Sequence, residues 1–149
     1  MERTLVLIKP DGVQRRLTGA IVGRIERRGY KIIGLKLMRV THELAERHYA
    51  EHRGKGFYEG LLTYITSGPV VALAVEGEDA IAQLRTMVGS TDPKKAAPGT
   101  IRGDWAIDVG RNLIHASDGP ESAGRELDLF FGPSERLDYK LQDDDWVVE

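Results

Sequence analysis

The sequence predicts an α/β fold in which a four-stranded antiparallel sheet follows the βαββαβ order of ferredoxin-like domains and carries additional helices. The main observation is a pair of strand–helix–strand units separated by further helical segments, since such a pair most economically forms this sheet with helices on one face. The length of 149 residues suits about one domain. We therefore expect a single domain over residues 1–149, with a doubly wound parallel sheet as the alternative.

The predicted strands are runs rich in leucine, isoleucine and valine, whereas the predicted helices place apolar residues three and four positions apart. Strands are predicted at residues 3–9, 30–40, 70–75 and 112–116, and helices at residues 18–28, 41–52, 58–65, 79–88 and 121–131. Residues 70–75 are all apolar, which predicts a strand buried on both faces.

Local signals indicate where these elements begin and end. Residues 10–12, Pro-Asp-Gly, predict a turn after the first strand, because proline presets φ and glycine accepts a positive φ. Thr18 is a candidate N-cap, and Gly29 stands where the end of a helix favours a left-handed residue. Gly68 and Pro69 end the third helix.

Two segments lie outside this alternation of strands and helices. Residues 89–104 are predicted as a loop that is long for a connection inside a compact domain, and we expect it to be functional. Residues 141–149 form an acidic tail at the C-terminus, in which Trp146 and two valines favour docking on another surface. A subunit interface is one candidate for that surface.

The composition excludes several classes of protein and site. The chain has no cysteine, which excludes a disulfide framework, a thiolate zinc site and a cysteine nucleophile. A formal net charge of −2 excludes a strongly basic arm. No apolar run reaches the roughly 18 residues of a membrane span, and the N-terminus lacks the features of a signal peptide. We expect a soluble, cytoplasmic protein without a membrane partner.

The common sequence signatures of nucleotide binding and serine hydrolysis are missing. Neither GxxxxGK[ST] nor GxGxxG occurs, and GxSxG is absent as well. A nucleotide, if bound, must therefore be held in another way.

Three of the four histidines are candidates for chemistry. His48 and His52 lie four apart on a predicted helix and could share a zinc ion, although no third ligand is evident and an exposed helix surface is the favoured alternative. His115 follows the only asparagine of the chain, Asn112, at the end of a predicted strand. An imidazole becomes a nucleophile when a carboxylate holds one ring nitrogen, and Glu126 could supply that carboxylate. A histidine packed in the core is the alternative.

Four stretches together resemble the signature segments of nucleoside diphosphate kinases, in the same order and at matching spacings. They are residues 4–15 (TLVLIKPDGVQR), 65–71 (ITSGPVV), 97–104 (APGTIRGD) and 112–118 (NLIHASD). The resemblance extends over about residues 2 to 140. It implies an enzyme that transfers the γ-phosphate of a nucleoside triphosphate to a nucleoside diphosphate by a ping-pong mechanism, with broad base specificity, and so maintains nucleoside triphosphate pools.

The same resemblance implies a role for each matching residue. His115 would become the phosphohistidine through Nδ1 (the pros nitrogen), oriented by Glu126. Lys9, Tyr49 and Ser117 would also be catalytic. The nucleotide would be held by the following residues: Lys9, Tyr49, Arg85, Thr91 and Arg102 around the phosphates, Phe57, Val109 and Leu61 at the base, and Asn112 with Lys9 at the ribose. Mg²⁺ would arrive on the nucleotide phosphates, with Asp118 at most a water-mediated partner.

Some positions depart from the pattern of that family. Ala116 stands where glycine is usual, so we expect a negative φ there. Gly56 replaces a usual proline and Val75 a common tryptophan. The family forms hexamers or tetramers, and we favour a hexameric homo-oligomer for this chain.

Two other functional classes compete with a kinase. The fold would suit a nucleic-acid-binding module, and residues 1–56 carry 13 basic and 6 acidic residues, a net charge of +7. The aromatic-rich strand of RNA-recognition domains is missing, however, which makes nucleic acid an unfavoured partner. The second alternative is a non-catalytic scaffold, against which the complete set of candidate site residues argues.

Overall fold

The computed structural model describes residues 1–149 and contains a central sheet of four antiparallel strands. These are β1 (Glu2–Ile8), β2 (Lys31–Met38), β3 (Val70–Gly77) and β4 (Ile114–Ala116), in the spatial order β2-β3-β1-β4. Every neighbouring pair is antiparallel. The predicted fold class is confirmed, and the parallel alternative is excluded.

Eight α-helices connect and cover the strands. They are α1 (Pro10–Gln14), α2 (Thr18–Arg27), α3 (His42–His48), α4 (Tyr58–Ile65), α5 (Ala80–Val88), α6 (Ile101–Trp105), α7 (Pro120–Phe130) and α8 (Asp144–Val147). Short 3₁₀ turns occupy Ala50–His52, Pro93–Lys95 and Pro133–Glu135. None of these helices is both long and apolar enough to cross a membrane.

The helices cover both faces of the sheet, which corrects the expectation that they lie on one face. Successive side chains of a strand point to opposite faces. On β1, Leu5 and Leu7 accordingly pack in one apolar cluster, with residues of α4 and α7, while Val6 and Ile8 pack in a second, with residues of α2 and α5. β1 is therefore buried on both faces, as β3 is, and it forms the centre of both cores.

The segment after β1 is a short helix and not the predicted turn. Pro10 is the first residue of α1, a position where proline loses no hydrogen bond because its missing N–H would have had no partner. Thr18 lies inside α2 and makes no capping hydrogen bond, so its predicted role as N-cap is wrong. Gly29 has a φ of +104°, which confirms the left-handed residue at the end of α2.

The strand that carries His115 is shorter than predicted because the chain bends before it. Leu113 has a φ of +74°, a conformation that is costly for a branched side chain. Both of its backbone polar groups are engaged: its N–H donates to Asp11 Oδ2 at 3.1 Å, and its carbonyl accepts from the N–H of Lys9 at 2.8 Å. The residues just after β1 thus fix the chain just before β4.

The predicted loop at residues 89–104 contains the 3₁₀ turn at Pro93–Lys95 and helix α6. Thr100 caps α6 by accepting a hydrogen bond from the N–H of Gly103 at 3.0 Å. A Cβ on Gly103 would lie 2.0 Å from the carbonyl oxygen of Ala97, so only glycine fits this close approach. The segment was predicted as a loop because its turns are short and rich in proline and glycine.

The acidic tail folds back onto its own chain. Val147 on α8 lies so close to Gly29 that a Cβ on that glycine would be 2.6 Å from Val147 Cγ1. Trp146 points away and is 90% exposed. The docking expected of the tail therefore involves Val147, whereas the indole has no partner within the chain.

Replacement of Gly103 by alanine is expected to destabilise the protein by about 1–3 kcal/mol, since the new methyl group would overlap the Ala97 carbonyl. Gly19→Ala is the matched control, because Gly19 lies in α2 with open space where its Cβ would be, and alanine favours a helix. Urea unfolding of the two variants and the wild type measures the difference. Equal midpoints for Gly103→Ala and the wild type would contradict the close packing.

Candidate functional site

His115 lies in the middle of β4, opposite Leu7 of β1, and its side chain is 23% exposed. Its Nε2 is 2.7 Å from Oε1 of Glu126 on α7. With an ionised carboxylate as the acceptor, the shared proton belongs to Nε2, and Nδ1 keeps its lone pair. Nδ1 forms no hydrogen bond within the chain. The imidazole therefore has the tautomer and the free nitrogen that a nucleophile requires.

Glu126 is a buried carboxylate with two donors on one oxygen. Ser117 donates its hydroxyl to the same Oε1, also at 2.7 Å. Burial by itself would raise the pKa of Glu126, but the hydrogen bonds from His115 and Ser117 and the nearby positive charge outweigh burial and lower that pKa below its usual range. Glu126 thus remains ionised near neutral pH and fixes the orientation of the imidazole by accepting the hydrogen bond from Nε2.

His48 also reaches this site, although the sequence favoured an exposed helix surface for it. Its side chain is buried at the end of α3, 4% exposed, and its ring meets the ring of His115 edge to face with centroids 4.9 Å apart. Burial first, and the charge of His115 second, lower the pKa of His48 to about 3. His52 lies beyond the helix on a 3₁₀ turn, where its ring contacts Phe57. The expectation of an exposed surface is wrong for His48 because α3 turns this residue towards the sheet.

Two hydrogen bonds connect Lys9, directly after β1, to the segment after α5 through the side chain of Asn112. Lys9 donates from Nζ to Oδ1 of Asn112 at 2.9 Å, and Asn112 donates from Nδ2 to the carbonyl of Thr91 at 3.1 Å. Burial and the nearby Arg102 lower the pKa of Lys9 to about 8, although Asp11 acts in the opposite direction. The only asparagine of the chain thereby links the end of β1 to the segment after α5.

Arg102 holds the segment around β4 together. Its guanidinium donates to the carbonyls of Asn112 at 3.2 Å, Gly89 at 3.0 Å and Ile114 at 2.5 Å. Burial, followed by the charge of Arg85, lowers its pKa to about 10, so it is still a cation near neutral pH. Arg85 donates to the carbonyl of Ala116 at 3.1 Å. The two arginines therefore donate hydrogen bonds to the backbone on both sides of His115, Arg102 to Ile114 and Arg85 to Ala116.

Two residues of the site region were not singled out as site residues from the sequence. Asp11, treated as part of a turn, accepts hydrogen bonds from the Tyr64 hydroxyl and from the N–H of Leu113. Burial and this bond to Asp11 raise the pKa of Tyr64. The ring of Tyr64 in turn lies under the Arg111 guanidinium at 4.8 Å. The only signal for Asp11 was its place in the Lys-Pro-Asp-Gly stretch.

Two of the residues expected at the base are highly exposed. Phe57, just before α4, is 53% exposed, and Val109 is 57% exposed. Leu61 is half-buried on α4. Exposed apolar groups such as Phe57 and Val109 offer a surface on which a flat ligand can stack.

Tyr49 is buried, and its ring packs against the ring of His48 with centroids 4.6 Å apart. Burial, followed by the charge of Glu126, raises the pKa of Tyr49 to about 12.

An acidic cavity of about 380 Å³ opens next to the start of α7. Its lining is mostly polar and includes Glu51, Asp118, Glu121 and Arg125. Oδ1 of Asp118 accepts a hydrogen bond from Ser122. Carboxylate oxygens in a polar space of this size suit a hydrated cation that is held through water. Ala116, between His115 and Ser117, avoids a positive φ, as expected.

Comparison with known proteins gives a consistent result over the whole chain. A family model described as nucleoside diphosphate kinase matches residues 2–136. Relatives named nucleoside diphosphate kinase are 60% identical in Carboxydothermus hydrogenoformans, with all of both chains covered, and 57% identical in Archaeoglobus fulgidus, with 100% of this chain and 99% of the relative covered.

Solved structures agree with these relatives. The structure of a halophilic nucleoside diphosphate kinase from Halobacterium salinarum in complex with CDP has a TM-score of 0.97 and 52% identity, and the match covers 99% of each chain. A nucleoside diphosphate kinase family protein from Babesia bovis has the same TM-score of 0.97 at 40% identity, covering 99% of this chain and 100% of the other.

The depressed pKa of Lys9 leads to a pH dependence of stability. The folded chain releases this proton near pH 8, whereas the unfolded chain holds it up to about pH 10.5. The unfolded state therefore binds more protons in this window, and stability rises with pH across it. Relative to Lys9→Met, the wild type should gain about 2 kcal/mol between pH 7.5 and pH 10.

Urea unfolding of both proteins at the two pH values gives this difference, and comparison with the variant cancels the titration of other groups. Lys94→Met, at an exposed lysine, is the control and should show no such difference. A gap between wild type and Lys9→Met that does not change with pH would contradict the burial of a titrating ammonium group.

Proposed function

The chain belongs to the nucleoside diphosphate kinase family, and on that premise we propose that it transfers the γ-phosphate between nucleotides through a phosphohistidine on Nδ1 of His115. The observation that carries this proposal is the pairing of a free Nδ1 with an Nε2 held at 2.7 Å by a buried carboxylate. Maintenance of nucleoside triphosphate pools is the cellular role that we propose to follow from this reaction.

The reaction divides into two equivalent displacements. In the first, the lone pair of Nδ1 forms a bond to the γ-phosphorus while the bond from that phosphorus to the β–γ bridging oxygen breaks, and a nucleoside diphosphate leaves. In the second, a terminal phosphate oxygen of the acceptor diphosphate attacks the same phosphorus, and the bond to Nδ1 breaks. The Nε2 proton stays between His115 and Glu126 throughout, so the carboxylate offsets the positive charge that the phosphorylated ring carries.

Positive side chains are the other requirement for phosphoryl transfer, because charge spreads over the equatorial oxygens in the transition state. Lys9, Arg85 and Arg102 supply three cations on the segments that surround β4, and we propose that Thr91 and Tyr49 add hydroxyl donors. Hydrogen bonds to charged groups contribute roughly 1.5–3 kcal/mol each. Three cations can therefore hold a triphosphate without a glycine-rich loop.

The base and the sugar are held by different groups. We propose that the base stacks on Phe57, with Val109 opposite and Leu61 at the rim, and that Asn112 and Lys9 bond the ribose hydroxyls. Every base has a π-face, so stacking tolerates purines and pyrimidines alike. The CDP bound by the Halobacterium salinarum relative supports a nucleotide ligand at the same fold.

A divalent cation is expected of this family, and we propose that it is Mg²⁺ and that it enters on the nucleotide phosphates as part of the substrate. The acidic cavity beside α7, with the carboxylate of Asp118, fits a water-mediated contact to such an ion. When bound, the ion neutralises phosphate charge, while the side chains of the chain position and orient the reacting groups.

We also propose a homo-oligomer in the cytoplasm, with a hexamer favoured over a tetramer. Leu35 and Leu37 on the edge strand β2 are 58% and 68% exposed, and Trp146 is exposed as well. Apolar side chains grouped on a sheet edge support burial against another copy. Light scattering after size-exclusion chromatography gives the number of subunits.

Replacement of His115 by alanine should abolish turnover while nucleotide binding and the fold persist. The measurement is incubation of the wild type and the variant with γ-labelled ATP and Mg²⁺ in the absence of an acceptor, followed by mapping of the label. The wild type should carry an acid-labile, base-stable label that GDP or CDP discharges. A wild type that binds nucleotide but stays unlabelled would favour the non-catalytic scaffold.

Arg85→Ala and Arg102→Ala should each lower kcat/KM by about 10- to 150-fold, as expected for the loss of one charged hydrogen bond of 1.5–3 kcal/mol. The two should differ in stability, since Arg102 binds three backbone carbonyls and Arg85 only one. Thermal unfolding should show a lower Tm for Arg102→Ala alone. Loss of stability in both variants, or in neither, would refute the division of roles between the two arginines.

A further inference from the structure

His48 is a buried imidazole that the proposed reaction does not use. Neither of its ring nitrogens has a hydrogen-bond partner, although the side chain is only 4% exposed. A buried polar group without a partner costs about 1–3 kcal/mol, and such groups are rare in folded proteins unless an ion, a ligand or water engages them. Apolar packing against His115 therefore does not explain why an imidazole with two unpartnered nitrogens is buried at this position.

The unpartnered nitrogens lie next to other groups that can bind a metal. One nitrogen of His48, one nitrogen of His115 and one oxygen of Glu126 all lie within 4.8 Å of one another. In a tetrahedral zinc site with bonds of about 2.0–2.2 Å, ligand atoms are roughly 3.3 Å apart. Side-chain rotations that move the ligand atoms by about 1.5 Å or less bring the three groups to that spacing. The exposed edge of His115 leaves the fourth coordination position of the metal to water.

The set of donor atoms selects the class of metal. Two imidazoles and one carboxylate with an open fourth position are typical of Zn²⁺, and nitrogen ligands also suit Cu²⁺. Mg²⁺ prefers oxygen ligands and retains its waters, so the ion carried by the nucleotide does not compete for this set. A site for zinc can therefore coexist with millimolar magnesium.

We propose that His48, His115 and Glu126 form a zinc-binding site whose occupation inhibits the enzyme by removing the nucleophilic form of His115. The inhibition, but not the binding of zinc, rests on the proposed phosphohistidine. A zinc ion on Nδ1 uses the lone pair that attacks phosphorus. A zinc ion on Nε2 displaces the proton from that nitrogen, and a neutral ring then carries its proton on Nδ1. Either mode of binding blocks phosphorylation.

The first test is calorimetric titration of the nucleotide-free protein with Zn²⁺ in the presence of Mg²⁺. The wild type should bind one zinc ion per chain, and His48→Phe, which fills the same space without a ligand atom, should bind it at least tenfold more weakly. His42→Gln is the matched control, because that histidine is exposed on the other end of α3, and it should bind zinc as the wild type does. Equal affinity in His48→Phe and the wild type, or no binding by the wild type, would overturn the proposal.

A second measurement needs no variant. Co²⁺ in place of Zn²⁺ should give the visible absorption of a four-coordinate site with nitrogen ligands, and prior phosphorylation of the wild type with ATP and Mg²⁺, followed by removal of nucleotide, should abolish it. A spectrum of octahedral cobalt, as from surface carboxylates, would overturn the site. A phosphorylated protein that binds the metal unchanged would overturn the inhibition. A protein that binds zinc but takes up no label would refute the proposed phosphohistidine and leave the metal site intact.

Discussion

The geometry of the site depends on the pairing of a strand of only three residues, β4, with the buried strand β1. This pairing sets His115 opposite Leu7. It is enforced from outside the sheet, because Asp11 and the backbone of Lys9 hold Leu113 in a strained left-handed conformation. A shift of one residue in this pairing would turn the imidazole to the opposite face, and these bonds oppose such a shift. The stretch after the first strand thus determines the position of His115 as much as β4 does.

Buried charge is the second constraint. Lys9, Arg102 and Glu126 are all removed from water, and each is tolerable only because specific partners surround it: an amide oxygen for Lys9, three carbonyls for Arg102, and an imidazole and a hydroxyl for Glu126. Burial, reinforced by the charge of Arg102 at Lys9 and of Arg85 at Arg102, lowers the pKa values of the two cations, although Asp11 acts in the opposite direction at Lys9. Under the proposed function, such an arrangement is unfavourable in the free protein and becomes favourable once polyanionic phosphates lie against it.

The sheet, its order of strands and the contact between His115 and Glu126 could be predicted from sequence patterns and the family resemblance. The continuous apolar runs of β1 and β3 already indicate burial on both faces, and the expectation of helices on one face, which rested on the order of strands and helices, did not use that signal. His48 was misjudged since its spacing to His52 indicates a shared helix face, whereas α3 ends at His48. Asp11 and Tyr64 act through tertiary contacts some 50 and 100 positions apart in sequence, which no local spacing reveals.

Lys9 and Arg102, two of the proposed phosphate-binding groups, are buried, whereas Phe57 and Val109, proposed to contact the base, are exposed. This difference bears on how the enzyme can change over evolution. Phe57 and Val109 lie outside both apolar clusters and make no contribution to the core. Substitutions at these two positions therefore change the free energy of unfolding little, and base preference can diverge between descendants of one ancestor. Of the proposed phosphate-binding cations, Arg102 is buried and donates to three backbone carbonyls, so a lineage that alters it also loses stability. Under the proposed roles, selection can thus alter which nucleotide is used far more readily than whether phosphate is transferred.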